Sequence, residues 1–334
     1  MYFMRILYIY FVKRLFLLSL SFSSIFIFGG FWGFFGHKTI NNHAVYCLPM
    51  PLTAFYKKNQ TYLKEASVNP DKRRMLVVGE EARHYIDLDR YGDSAKTALP
   101  VYWNKAVEKY GEDVLQENGI VPWHIYAQYN KLRDAFILKD AKTVLRISAD
   151  LGHYLADAHV PLHTTSNYNG QLTNQHGIHA FWESRLPEIF SVGYTYWTGK
   201  ATYVADPQNK AWEIVWDTHA LVDSVLLIEA ELTATFAGAK FSFEQRGQQL
   251  VKVYSREFAN AYHSRLNGMV ENQMKKAIHT IASFWYSAWI DAGQPDVNTM
   301  IPNMSDEERK EKTELLKLER GNTKFVSRHT EESN

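Results

Sequence analysis

Apolar residues recur at three- and four-residue intervals along most of the chain, and each such run predicts a helix. Ile40, Ala44 and Cys47 or Leu48 share one face of a helix over 37–48, which the prolines of "PMP" stop. Further helices are expected over 53–67, 100–111 and 122–140, the last with Pro122 in its first turn. The run "AKTVLRISADLGHYLADAH" keeps the helical period up to Pro161. Residues 68–94 keep no sustained period and carry turn signals at both ends, so they are expected to be irregular or extended. After a polar loop, "TTSNYNGQLTNQ", helix is expected over 177–190 and then, beyond Pro207, over 209–236, 243–266 and 268–291. With no strand-rich block and no repeat in view, the pattern predicts an all-α fold, a single multi-helix domain over 32–294.

Both ends depart from that pattern. "MYFMRILYIYFVKRLFLLSLSFSSIFIFGG" has basic residues, an apolar run and two glycines, the layout of a secretory signal over 1–31; the alternative is an uncleaved anchor. Either way the body of the protein is expected outside the cytoplasm, periplasmic or secreted. Residues 295–334 form a charged, largely disordered tail in this reading. Its short solvated helix is marked by the Ser305/Glu308 capping box and by the pairs Asp306/Lys310 and Glu308/Lys312.

Charge narrows the function classes. Lys+Arg and Asp+Glu number 37 and 36, and without the three basic residues of the leader the body is slightly acidic. No strongly basic footprint for duplex nucleic acid is present. With Cys47 alone, no intrachain disulfide can form, and metal ions become candidates for holding an exported fold together.

The candidate chemistry lies in histidines. His153 and Asp157 are four apart, so they project from one helical face and can grip one ion, and His163 follows just past Pro161. His179 and Glu183 repeat that spacing on another predicted helix. Upstream, His84 stands with Asp87 and Asp89, and Asp71 lies further ahead. Imidazoles with carboxylates suit zinc, and so many ligand sources exceed what one zinc can use, so a multinuclear site is expected. His159, His124 and the His43/Cys47 pair are expected to be structural, and His176 lacks the carboxylate at four-residue spacing that His179 has.

In this order, "WGFFGH" with Trp32 and His37, "HYID" at His84, the H-x3-D-x5-H of His153, Asp157 and His163, and the H-x3-E of His179 and Glu183 resemble the zinc-dependent phospholipases C and the plant and fungal single-strand-specific nucleases. The resemblance implies three zinc ions in an all-α fold. One would be held by Asp71, His84, His153 and Asp157, a second by His163, His179 and Glu183. The third would take His37, Asp157 as a bridge, and the amino group and carbonyl of the mature N-terminal residue, Trp32. A free α-amine titrates near pH ~8 and can ligate a metal, which an amide nitrogen cannot. Cleavage after Gly30 would leave Phe31 in front of Trp32 and alter that third site.

Such a cluster can polarise a phosphoryl oxygen and acidify water, so attack on phosphorus by zinc-bound hydroxide is expected, with Asp157 as bridge and Asp71 steering the water. The substrate is a phosphoester, either a phospholipid, with contact to a membrane surface, or a single-stranded nucleic acid or nucleotide; no protein partner is predicted. Asp87 corresponds to a substrate-facing position in the nuclease branch, or else it caps a turn or pairs with Arg83 or Arg90. Glu183 in place of aspartate and the absence of disulfides lean toward the phospholipase C type. A non-catalytic, zinc-stabilised binding or membrane-tethered protein is the reading from another class.

Overall fold

The structure, a computed structural model, describes residues 33–322, with side chains to 317. The expected signal peptide or anchor, and Trp32, lie outside the described residues. Those residues are mostly helical.

The centre of the fold is the helix Ala141–Asp157, in which 14 of 17 residues are buried. A helix buried on nearly every face must sit inside other helices. Here Val121–Ile137, Met269–Asp291, Gln60–Ala66 and Gly33–Ala44 surround it. Its start is capped by Asp140, which accepts the Thr143 amide at 3.1 Å. It stops ahead of Pro161, which opens a short 3-10 turn, Pro161–Thr164.

The first described helix, Gly33–Ala44, packs closely on the central one at Gly152. A Cβ at Gly152 would collide with the side-chain amide of Asn41, whose own Nδ2 donates to the His37 carbonyl at 3.0 Å. Glycine therefore permits the approach that stacks His37 on His153, ring centroids 3.8 Å apart. Gly152→Ala is expected to cost about 1–3 kcal/mol of stability through overpacking. Urea unfolding checks it; an unchanged midpoint would show that the contact gives way freely.

Two expected helices prove to be something else. The run over 243–266 opens with an antiparallel hairpin, Phe241–Arg246 against Gln249–Tyr254, and only Arg256–Arg265 is helical. Gly247, at φ +61°, makes the two-residue turn with Gln248, and alternation in "QLVKVY" suits a strand better than a helix. The single helix expected over 209–236 is two, Pro207–His219 and Val222–Thr235. The fold is thus helical with a two-stranded sheet rather than purely α.

The short helix expected in the tail is Asp306–Asn322, and the residues beyond it lie outside the described ones. The helix is held to the body, where Arg309 reaches Asp140 at 2.6 Å and the Ile301 amide donates to the Lys139 carbonyl at 2.8 Å. It is docked on the start of the central helix. Ser305 caps it and Glu308 pairs with Lys312, but Asp306 pairs with Arg309 instead of Lys310.

Candidate metal centre

Seven short or long elements converge at the C-terminal end of the central helix. His153 and Asp157 occupy its last turns, His37 comes from Gly33–Ala44, Asp71 from the turn Asn69–Arg73, and His84 follows the 3-10 turn Glu81–Arg83. His163 lies on the turn after the helix. His179 and Glu183 span the junction of Ile178–Ala180 with a π-helical turn, Phe181–Arg185. All eight side chains are buried or nearly so.

They fall into groups of ligand atoms. His84 Nδ1, His153 Nε2 and Asp157 Oδ2 are 2.9 to 3.2 Å apart, and Asp71 Oδ1 stands 3.6 Å from His153 and 3.9 Å from His84. His163 Nε2 and His179 Nε2 lie 3.3 and 3.2 Å from Glu183 Oε2. His37 Nε2 is 3.3 Å from the other oxygen of Asp157. Two ligand atoms sharing a small tetrahedral ion, with bonds of about 2.0–2.1 Å, are separated by about 3.3 Å.

Backbone carbonyls set the proton positions. His153 Nδ1 faces the Ser67 carbonyl at 2.8 Å, His163 Nδ1 the His84 carbonyl at 2.7 Å, and His179 Nδ1 the Tyr168 carbonyl at 3.1 Å. A carbonyl only accepts, so each Nδ1 donates and each neutral ring turns an Nε2 lone pair toward carboxylate oxygens. Lone pair facing lone pair is unfavourable without a proton or a cation between them. Both oxygens of Asp71, Asp157 Oδ1 and Glu183 Oε1 are buried with no hydrogen bond, as are both nitrogens of His37. Buried acceptors of that kind are costly, and a metal ion satisfies them.

The protonation of the metal-free site follows the same logic. Burial pushes His153 down, but Asp157 and Asp71 outweigh it and raise it to about 9. His163 is likewise raised by Asp157 and Glu183 against its burial. Burial and the neighbouring His153 charge lower His37, and burial lowers His84 despite Asp157. Burial would raise Asp157, yet the His153 and His163 charges hold it well below the usual carboxylate range. Protons thus stand in for cations in part of the cluster.

The groups His37/His153/Asp157, Asp71/His84/His153 and His163/His179/Glu183 could each hold a metal ion. Asp89 is not among them: it accepts the Ser166 amide at 2.8 Å and its hydroxyl, so it anchors the polar loop after His163. Asp87 is partly buried and raised to about 7 by burial and by Asp89. It stands at the start of the 3-10 turn Leu88–Tyr91 but its side chain makes no capping hydrogen bond, and Arg83 is committed to Glu80 at 2.6 Å. His159 donates to the Leu155 carbonyl, His124 meets Gln128, and His176 is exposed, all outside the cluster.

Sequence reasoning missed the supports. Glu80 is fully buried, 3.9 Å from His84 Nε2, and ties Arg73, Arg83 and Tyr154 together. Its four-residue spacing to His84 was a readable signal. Ser184 accepts the Gly33 amide at 3.1 Å, which fixes the start of the first helix beside Glu183. Arg185 grips Glu244 of the hairpin, bracing the π-helical turn from outside. Compared with known protein families and with curated proteins, the chain matches none.

Proposed function

We propose that the protein is an exported zinc-dependent phosphodiesterase of phospholipase C type, in the superfamily its motifs resemble. Asp157 carries the reading: one oxygen faces His84 and His153, and the other faces His37, so a single carboxylate can bridge two ions. An imidazole and carboxylate donor set favours zinc. Ions bound there would supply Lewis-acid polarisation of a phosphoryl oxygen and acidify a water.

The chain's own groups do the remainder. The carbonyls of Ser67, His84 and Tyr168 hold three rings in the ligating tautomer. Asp71 Oδ2, which has no hydrogen bond, is free to accept a proton from a water, and Asp157 fixes the spacing of the cluster. Gly33, the first described residue, is held on Ser184 beside Glu183; ligation by a mature N-terminus at Trp32 belongs to this proposal. The nuclease-like or 3'-nucleotidase-like alternative draws on Asp87, partly buried, near His163 and not used as a cap.

The test is hydrolysis by the processed protein of bis(p-nitrophenyl) phosphate, phosphatidylcholine and single-stranded DNA, with and without chelator. Chelator-sensitive cleavage of the first two, with phosphatidylcholine preferred over DNA, is expected. A zinc-replete sample that cleaves none of them would leave only a structural role for the metal.

A further inference from the structure

Between Asp71 and His84 the chain leaves the protein body in a short loop with an apolar middle. Met75, Leu76 and Val78 are 82%, 83% and 98% exposed, and Val77 between them is 41% exposed. Single exposed apolar side chains need no explanation, but four in succession do.

The loop is built, not loose. Leu76 and Val77 both donate to the Arg73 carbonyl, at 2.8 and 2.9 Å, and Glu80 donates back to Val77 at 3.1 Å. At its base Arg73 Nε meets the buried Glu80 at 3.0 Å, Nη1 meets Asp150 at 3.1 Å, and Nη2 donates to the Tyr154 hydroxyl at 2.8 Å. Asp150 and Tyr154 belong to the central helix, so both ends of the loop are stapled to the core. A fixed frame therefore holds apolar side chains out in water.

We infer that residues 75–78 are a membrane-docking element that seats among the headgroups and upper acyl chains of a phospholipid surface. A convex turn offers a protein partner neither a groove nor a free strand edge, whereas a bilayer accepts a protruding apolar tip. The local charge fits. Arg74 is matched by Glu81 at 2.6 Å, while exposed Lys72 lies 6.0 Å from the ring of Phe34, another partly exposed apolar side chain. A lysine beside an apolar tip keeps its ammonium at the level of headgroup phosphates. Because Asp71 and His84 bound the loop, seating it would bring the headgroup phosphates to the metal centre. That last step rests on the hydrolase reading above; the docking does not.

The experiment compares the processed protein with Leu76→Ser/Val78→Ser in sedimentation with phosphatidylcholine vesicles, each with and without chelator. The double variant is expected to partition at least about tenfold more weakly, with unchanged thermal unfolding, metal content and cleavage of soluble bis(p-nitrophenyl) phosphate. Equal partitioning of the two proteins overturns the inference, as does a parent protein that ignores vesicles. Vesicle binding without metal-dependent cleavage of any phosphoester would leave the docking intact and defeat the hydrolase reading instead.

Discussion

Asp157→Asn is expected to empty the heart of the metal centre and to abolish phosphoester cleavage while leaving the helix that carries it in place. The substitution keeps the shape of a side chain that is wholly buried, so packing changes little. It removes the one carboxylate shared by His84, His153 and His37, and an amide is a poor bridge between cations. The Lewis-acid contribution at stake is several kcal/mol, which corresponds to a fall in rate of about a thousandfold or more. Metal analysis of the same sample should show the loss of at least one ion per chain relative to the parent. Glu183→Gln makes the comparison sharper, because it touches only the His163/His179 group and should leave the Asp157 group loaded. Full metal content and undiminished cleavage in the Asp157 variant would remove the basis for a bridging role.

What the sequence reveals about this centre depends on how local each part is. His153 and Asp157 are legible together because helical spacing alone puts them on one face, and the same holds for His179 and Glu183. His37, Asp71 and His84 are brought in by tertiary packing, which spacing does not encode. Their place beside His153 depends on Gly152 admitting the first helix and on the Arg73/Glu80 staple. The hairpin escaped notice because its apolar positions, Phe241, Phe243, Leu250, Val251 and Val253, also satisfy a loose helical count. Gly247 and the every-other spacing of Phe241/Phe243 and Val251/Val253 are the stronger signals there. The docking of the tail helix is illegible for another reason: its charges read as solvated surface, and nothing local announces that Arg309 pairs with Asp140, 169 residues away in sequence.

Stripping the metal should also make stability fall as pH rises through the range where the loaded protein is steady. In the chelated protein His153 is raised to about 9 from an ordinary value of 6.5, and His163 is raised as well. A group that binds its proton more tightly when folded stabilises the fold fully below about pH 6.5 and loses that contribution as pH climbs through about 9. For His153 alone the shift corresponds to on the order of 3 kcal/mol. His37 and His84 are shifted the other way, so they favour the folded state as pH rises toward 6.5. The chelated protein should therefore be most stable at about pH 6 to 7. Above that, neutral His153 turns its lone pair toward Asp157 and Asp71 with nothing between them. Bound cations replace those protons, and their affinity grows as the imidazoles deprotonate, so the loaded protein should hold its stability from pH 6.5 to 9. Urea midpoints measured across that range with chelator and with excess zinc test the point directly. Parallel curves would mean that no cation occupies the cluster in the loaded protein, and a chelated curve that rises with pH would mean that His153 does not carry the proton.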